Sequence, residues 1–271
     1  MNRLNAGKLS LIIGEVPLTV HFDNLDFLVE NRDRLMNFIT AEHDDSINIY
    51  VELVPYSEFK SALNDLDSPI ITKTSKHVYQ ILWNGLEGEF SMEEMVGKLK
   101  CSHHVGVNSF LRIIFSLVLL EDKGFITHAS SLIRNGKGYI FPGKSGAGKT
   151  TITRLTEDSI LLSDEVSLVK KSNNQFKVFG TPFWGELAIG GMNTSINLDK
   201  VLFPIQDGNN YLKELKPLQA LENLLPNVIF YYNDNELEKE LFELCNEFVN
   251  SIPQYELHFK MEPTFWRCIE C

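Results

Sequence analysis

The stretch Gly143-Lys144-Ser145-Gly146-Ala147-Gly148-Lys149-Thr150 satisfies G-x-x-x-x-G-K-[ST] in full, and a chain that carries it has to present a strand, a tight loop and a helix in that order. Three glycines in six positions let the backbone turn its N–H groups inward and leave no Cβ in the way of an approaching phosphate. Lys149 supplies a point charge for the outer phosphates, and the Thr150 hydroxyl is placed for magnesium. A helix beginning at the loop aims its positive end at the same anion. The context agrees: the apolar Tyr139-Ile140-Phe141 enters the loop and residues 151–155 leave it with helical character. The competing reading, a chance glycine-rich turn, explains neither flank. Gly143, Ser145, Gly146, Ala147, Gly148, Lys149, Thr150 and Thr151 are therefore the expected nucleotide contacts.

A phosphate loop needs a carboxylate near its metal, commonly at the C-terminal end of an apolar strand. Ile160-Leu161-Leu162-Ser163-Asp164-Glu165 offers one only 15 positions after Lys149. That leaves room for one short helix and one strand, so the acid pair is expected on the element beside the loop. Asp164 or Glu165 can hold magnesium while the other accepts a proton from an attacking hydroxyl, help typically worth ~10²–10⁴ in rate. The bland alternative is a solvated acidic turn. His128, in Phe125-Ile126-Thr127-His128-Ala129-Ser130, falls on the strand before the turn into the loop strand; a structural histidine is its default.

Composition bounds the rest. The chain has 271 residues, 44% apolar and 23% charged, enough for one large or two modest globular domains. A formal charge of −11 argues against nucleic acid as a partner, because phosphate backbones select clustered Lys and Arg. Of the four cysteines, Cys268 and Cys271 form a C-x-x-C, and Cys101 precedes His103 and His104. No second ligand pair at zinc spacing accompanies either group, and reduced thiols are expected. Residues 1–10 lack the pattern of a signal peptide, and the apolar run 110–120 contains Arg112 and is too short to span a bilayer of roughly 30 Å. A cytoplasmic protein with no membrane partner is the expectation; self-association into a homo-oligomer is left open.

Residues 9–13 and 18–22 alternate about Gly14-Glu15 as a hairpin, 31–42 show helical spacing, and 47–54 alternate strongly as a strand. Further strands are expected at 70–74, 78–83 and 90–92, with a helix at 92–99. A buried helix at 107–120 follows, then strands at 125–133 and 139–142, the loop, and a helix from 150. Beyond it come a strand at 159–162, a hairpin of 166–169 with 176–179, a strand at 201–204, helices at 218–225 and 237–249, and a strand at 255–259. This predicts an α/β protein with a small strand-rich α+β domain over 1–104 and a nucleotide-binding domain over 105–271.

His128-Ala129-Ser130, the Gly143–Thr150 loop and Leu162-Ser163-Asp164-Glu165 together resemble the nucleotide-binding core of the HPr serine kinase/phosphorylase group, which shares its fold with ATP-dependent phosphoenolpyruvate carboxykinase. The sequence is more similar still to the HPr-kinase-related proteins of peptide-modification systems, such as lasso-peptide tailoring kinases. Gly180-Thr181-Pro182-Phe183-Trp184-Gly185-Glu186 matches their G-T-P-[FW]-x-G-E stretch, and Ile252-Pro253, Leu257-His258-Phe259 and Phe265-Trp266 also look like theirs. The resemblance covers roughly 105–271. It implies a P-loop carboxykinase/HPr-kinase-like core on a mixed sheet that uses ATP and Mg2+, with Lys149 and Thr150 at phosphates and metal. It further implies Asp164 as base or metal carboxylate, His128 near the transferred phosphoryl group and Glu165 as a second carboxylate. Two departures stand out: Glu165 sits where the family usually has Asp, and the first hundred residues do not match the N-terminal domain of HPr kinases. Residues 180–191 read either as a flexible aromatic loop closing over a ligand or as a packed turn filled by Phe183 and Trp184.

The leading functional expectation is ATP-dependent phosphorylation of a hydroxyl on a peptide, protein or small molecule. The second is a non-catalytic nucleotide-binding regulator or precursor-peptide-binding protein. Carboxykinase chemistry on a keto acid is a third, opposed by the chain's size and the lack of an arginine cluster.

Overall fold

A computed structural model describes residues 6–59, 66 and 68–270. Residues 1–5 of the N-terminal stretch and Cys271 of the C-x-x-C lie outside the described residues. The protein is mixed α/β with two mixed sheets, and it divides into two compact units: Met1–Val118 with Phe230–Asp234, and Leu119–Ile229 with Asn235–Cys271.

The first unit holds a seven-stranded sheet ordered β1-β2-β3-β7-β6-β5-β4. β1 (Gly7–Ile13) and β2 (Val16–Phe22) form a hairpin, and Gly14 and Glu15 take the positive φ its turn requires. β3 (Ile47–Leu53) runs parallel to β2, which demands a crossover; α1 (Leu25–Leu35) supplies it. The sequence placed this helix at 31–42. It begins earlier because the Asn24 side chain accepts the Phe27 N–H (2.9 Å), and it ends at Leu35 in a tighter turn over Met36–Phe38. β4 (Ile70–Ser75), β5 (Val78–Trp83), β6 (Leu86–Ser91) and β7 (Val96–Cys101) form an antiparallel meander.

The helix expected at 92–99 is not there. Met92, Met95 and Leu99 have helical spacing, but Gly97, Leu99 and Cys101 alternate inward with Lys98 and Lys100 outward, and β7 is paired on both edges, by β3 and β6. Gly97 lies under the Phe110 ring, where a Cβ would stand 3.1 Å from it. The ring belongs to α2 (His104–Glu121), 18 residues long, which extends the helix expected at 107–120 by three residues at its start and one at its end. By length and composition it could cross a membrane, but 67% of it is buried inside the protein.

In the second unit, eight strands are linked through two long ones, β8 (Gly124–Arg134) and β13 (Ser195–Gln206). β9 (Lys137–Pro142) pairs antiparallel with β8 and parallel with β13. β10 (Ser159–Ser163), β11 (Val166–Ser172) and β12 (Gln175–Phe179) continue from β8 back to β13, so the pairings β8-β11-β12-β13-β9 close a ring. β15 (Gln254–Phe259) lies parallel to β13, and β14 (Tyr211–Glu214) borders it. Pro204 is tolerated inside β13 because it lies past the last residue that β9 pairs, where its missing N–H leaves no ladder bond unmade. The loop helix α3 (Lys149–Leu155) packs Ile152 onto Phe141, Leu202, Leu257 and Phe259, with Phe265 and Trp266 closing the core. α4 (Pro217–Leu224) and α5 (Asn235–Ser251) complete the unit, and Phe248 of α5 meets Phe125 and Phe176 edge-on.

Candidate active site

β8 is the spine of the site. Its far half has β9 on one edge and β10 on the other; the chain then continues along that second edge as β11. Two events therefore meet at the middle of β8. On one side β9 ends and the loop begins, with Gly143 N–H donating to the His128 carbonyl (3.2 Å). On the other side the pairing breaks between β10 and β11, and Asp164 and Glu165 occupy the break, with Ala129 N–H donating to the Glu165 carbonyl (2.9 Å). His128, opposite Val166, stands between the loop and the acid pair.

One open cavity of about 480 Å³ gathers these groups. It is lined by His128, Ser145, Gly146, Gly148, Lys149, Thr150, Thr151, Asp164 and Glu165, together with Glu186 and Gln206. Gly143 and Ala147 are not in its lining and act on the loop's shape instead. Gly146 (φ 81°) and Gly148 (φ 103°) adopt left-handed backbone that a side chain resists, and a Cβ on Gly148 would lie 2.6 Å from the Phe259 ring. The Lys149 side chain, 6% exposed, folds back over the loop and donates to the carbonyls of Gly143 (2.6 Å) and Lys144 (3.1 Å). Burial pulls its pKa below the usual lysine value, while the charges of Glu165 and Glu186 oppose that shift.

Asp164 is only 3% exposed, and both carboxylate oxygens are engaged: Oδ1 accepts from Gly185 N–H and Oδ2 from Leu187 N–H, each at 3.0 Å. Burial raises its pKa, the two amide bonds oppose the rise, and the charge of Glu165 adds to it. Asp164 thus clasps the turn 185–187, whose middle residue, Glu186, joins the cavity. Glu165 is more open, with its Oε1 3.7 Å from His128 Nε2.

Residues 181–183 and Gly191 are buried, while Glu186, Ala188, Ile189 and 192–194 are exposed. Thr181 staples the break around the acid pair, its N–H donating to the Leu162 carbonyl (2.9 Å) and its hydroxyl to the Val166 carbonyl (2.6 Å). Phe183 is 1% exposed, a core residue. Gly185 lies so close that a Cβ would stand 2.9 Å from Asp164 Oδ2. The sequence reading missed Glu186 and Gln206. Glu186 stood in the G-T-P-F-W-G-E stretch, the one signal that could have found it. Gln206 follows a strand expected to end at 204 and carried no signal at all.

Cys101, Cys245 and Cys268 are free thiols; burial pushes Cys101 and Cys245 up to about 12. Among the described residues, no group of three or more His, Cys, Asp or Glu side chains could hold a metal unaided. A cation in the cavity would share its coordination with Thr150 and with ligand oxygens.

Comparison with known proteins gives limited matches. A family model described as "SynChlorMet cassette protein ScmC" matches residues 99–206, less than half of the chain but including the loop, the acid pair and Glu186. No curated protein matches. Among solved structures, the chain is similar to the Hpr(Ser) kinase/phosphatase from Coxiella burnetii at 14% identity over 45% of this chain and 89% of that one. The TM-score is 0.24, a likeness too slight to carry a structural argument.

Proposed function

We propose that this chain is an ATP-dependent kinase that transfers the γ-phosphoryl group to a hydroxyl of a peptide, protein or small molecule, on a core of the HPr kinase/carboxykinase type. One observation carries the reading: Lys149 and Thr150 of a complete phosphate loop share a single cavity with Asp164, Glu165 and His128. In this reading the loop amides and Lys149 hold the triphosphate. The Lys149 ammonium exchanges its two loop carbonyls for phosphate oxygens. Thr150, with Asp164 or Glu165, offers oxygen donors of the kind a hard cation takes, the rest of its coordination coming from the nucleotide, and Mg2+ when bound would supply charge neutralisation to the triphosphate.

Asp164 is held in place by the amides of Gly185 and Leu187, one on each oxygen. Its burial makes it a stronger base than a solvated carboxylate. It is assigned to take the proton of the attacking hydroxyl, with Glu165 and His128 beside the transferred group. The protein as a whole is assigned to the cytoplasm, where ATP is available.

A second reading, a nucleotide-binding protein without transfer, is favoured by the same clasp: Asp164 could serve only to hold the 185–187 turn. Incubation with γ-labelled ATP, magnesium and the products of neighbouring genes, followed by mass spectrometry, separates the two. The kinase reading expects label on an acceptor, at least a hundredfold less with Asp164→Asn, and ATP affinity kept within a few-fold. Tight ATP binding with no labelled product selects the second reading, and unchanged ATP binding in Lys149→Ala removes the loop assignment itself.

A further inference from the structure

Glycines that free a loop to turn around a phosphate also leave it little to hold its shape. Two of the three loop glycines are boxed in by neighbours: Gly143 against Ala147, and Gly148 against Phe259. Gly146 is not. A Cβ there would meet nothing within 4 Å, yet the residue sits at φ 81°. Its carbonyl accepts from Gln206 Nε2 at 3.1 Å.

The carbonyl of Gly146 and the N–H of Ala147 belong to one rigid peptide plane and point opposite ways. Holding the carbonyl on Gln206 therefore fixes the direction of that N–H, which donates to the Lys144 carbonyl (3.1 Å) and closes the loop's inner turn. Lys144 O is also one of the two carbonyls that Lys149 Nζ touches. Gln206 thus reaches the phosphate-binding ammonium through two loop peptides.

Gln206 is well placed to act as a fixed post. It ends β13, the strand beside β9, and is paired with Phe259, whose ring lies under Gly148. Just beyond it, Asp207 N–H donates to the Phe259 carbonyl (3.0 Å), and the Asp207 carboxylate holds His258 Nδ1 (2.8 Å). The backbone is pinned on both sides while the amide head remains at the cavity wall.

We infer that Gln206 is a positioning residue of the phosphate loop: its side-chain amide holds the Gly146 peptide so that the loop's inner turn stays closed on Lys144, and so sets nucleotide affinity. The inference rests on the nucleotide-binding reading above. Because Gln206 is exposed, its replacement should leave the fold intact, which a melting curve checks.

The test is calorimetric titration of the full chain with Mg–ATP and, separately, with inorganic tripolyphosphate. Gln206→Ala should weaken both ligands alike by about fivefold, what one neutral hydrogen bond is worth in an equilibrium. Gln206→Glu, which faces the carbonyl with an acceptor and adds negative charge to an acidic cavity, should weaken both further. In the kinase assay KM for ATP should rise in step while kcat stays within about twofold. Unchanged affinity for both ligands in Gln206→Ala, a loss confined to ATP, or a fall in kcat at constant KM overturns the inference alone. Wild-type protein that binds neither ligand overturns the nucleotide reading and this inference with it.

Discussion

At the scale of single residues, the cavity is a set of opposed electrostatic demands. Burial raises the pKa of Asp164 and lowers that of Lys149, so the pH range in which one is ionised and the other still protonated is narrowed from both ends. Glu165 acts on both groups in the same direction: its negative charge raises Asp164 by repulsion and raises Lys149 by attraction. Activity that needs Asp164 as carboxylate rises as pH passes its pKa from below, and binding that needs the Lys149 ammonium falls as pH passes its pKa from below. Glu165→Gln is therefore expected to move both limbs of the kcat/KM profile to lower pH together. A profile in which only one limb moves, or the limbs separate, contradicts this assignment. The same sign governs stability. A carboxyl whose folded pKa is raised stabilises the fold below its unfolded value and loses that contribution as pH rises through the folded value, so Asp164 opposes folding at neutral pH.

At the scale of elements, the segment 180–194 turns an edge strand into a site. Gly191 lies where a Cβ would stand 1.7 Å from the Leu162 carbonyl, and a backbone atom cannot move aside as a flexible side chain can. Gly191→Ala should push the segment off β10, breaking the bond from Met192 N–H to the Leu161 carbonyl (2.9 Å). A destabilisation of about 3 kcal/mol is expected, or a Tm lower by about 10 °C, with phosphoryl transfer lost as the 185–187 turn leaves Asp164. Gly208→Ala, where a Cβ meets nothing, serves as the control and should leave Tm unchanged. Equal melting temperatures for the two variants would mean the segment is not anchored as described. The same elements explain what the sequence made legible. The strand, loop and helix around Gly143–Thr150 are local, and their signals are local: glycines at fixed offsets and an apolar strand before them. Glu186 and Gln206 reach the cavity through long-range pairings, Asp164 with the 185–187 turn and β13 with β9, which no local spacing encodes. At 92–99 a helical spacing of Met92, Met95 and Leu99 competed with a period-two pattern, and pairing on both edges of β7 decided for the strand.

At the scale of the whole molecule, the sequence reading put a domain boundary at 104/105, and packing groups residues 1–118 with Phe230–Asp234 as the first unit. Tyr232 shows why that short segment matters. Its hydroxyl donates to the Ile113 carbonyl (2.6 Å), its ring meets Tyr79 edge-on at 5.4 Å, and it is 5% exposed. α2 is likewise bound into the first unit: the Phe110 ring lies where a Cβ on Gly88 or Gly97 would stand 2.4 or 3.1 Å away. A chain beginning at residue 105 keeps every residue of the cavity but loses the seven-stranded sheet, leaving Phe110 and Tyr232 without β5, β6 and β7. Exposed apolar surface of that kind drives association. The fragment is expected to sediment as aggregate or melt well below the full chain, while any monomeric fraction binds Mg–ATP within a few-fold of the full chain, because the phosphate loop, Asp164 and Gln206 all belong to the second unit. A soluble fragment with the Tm of the full chain would show that α2 does not depend on the sheet. A well-folded fragment that no longer binds Mg–ATP would show that residues before 105 contribute to the nucleotide site.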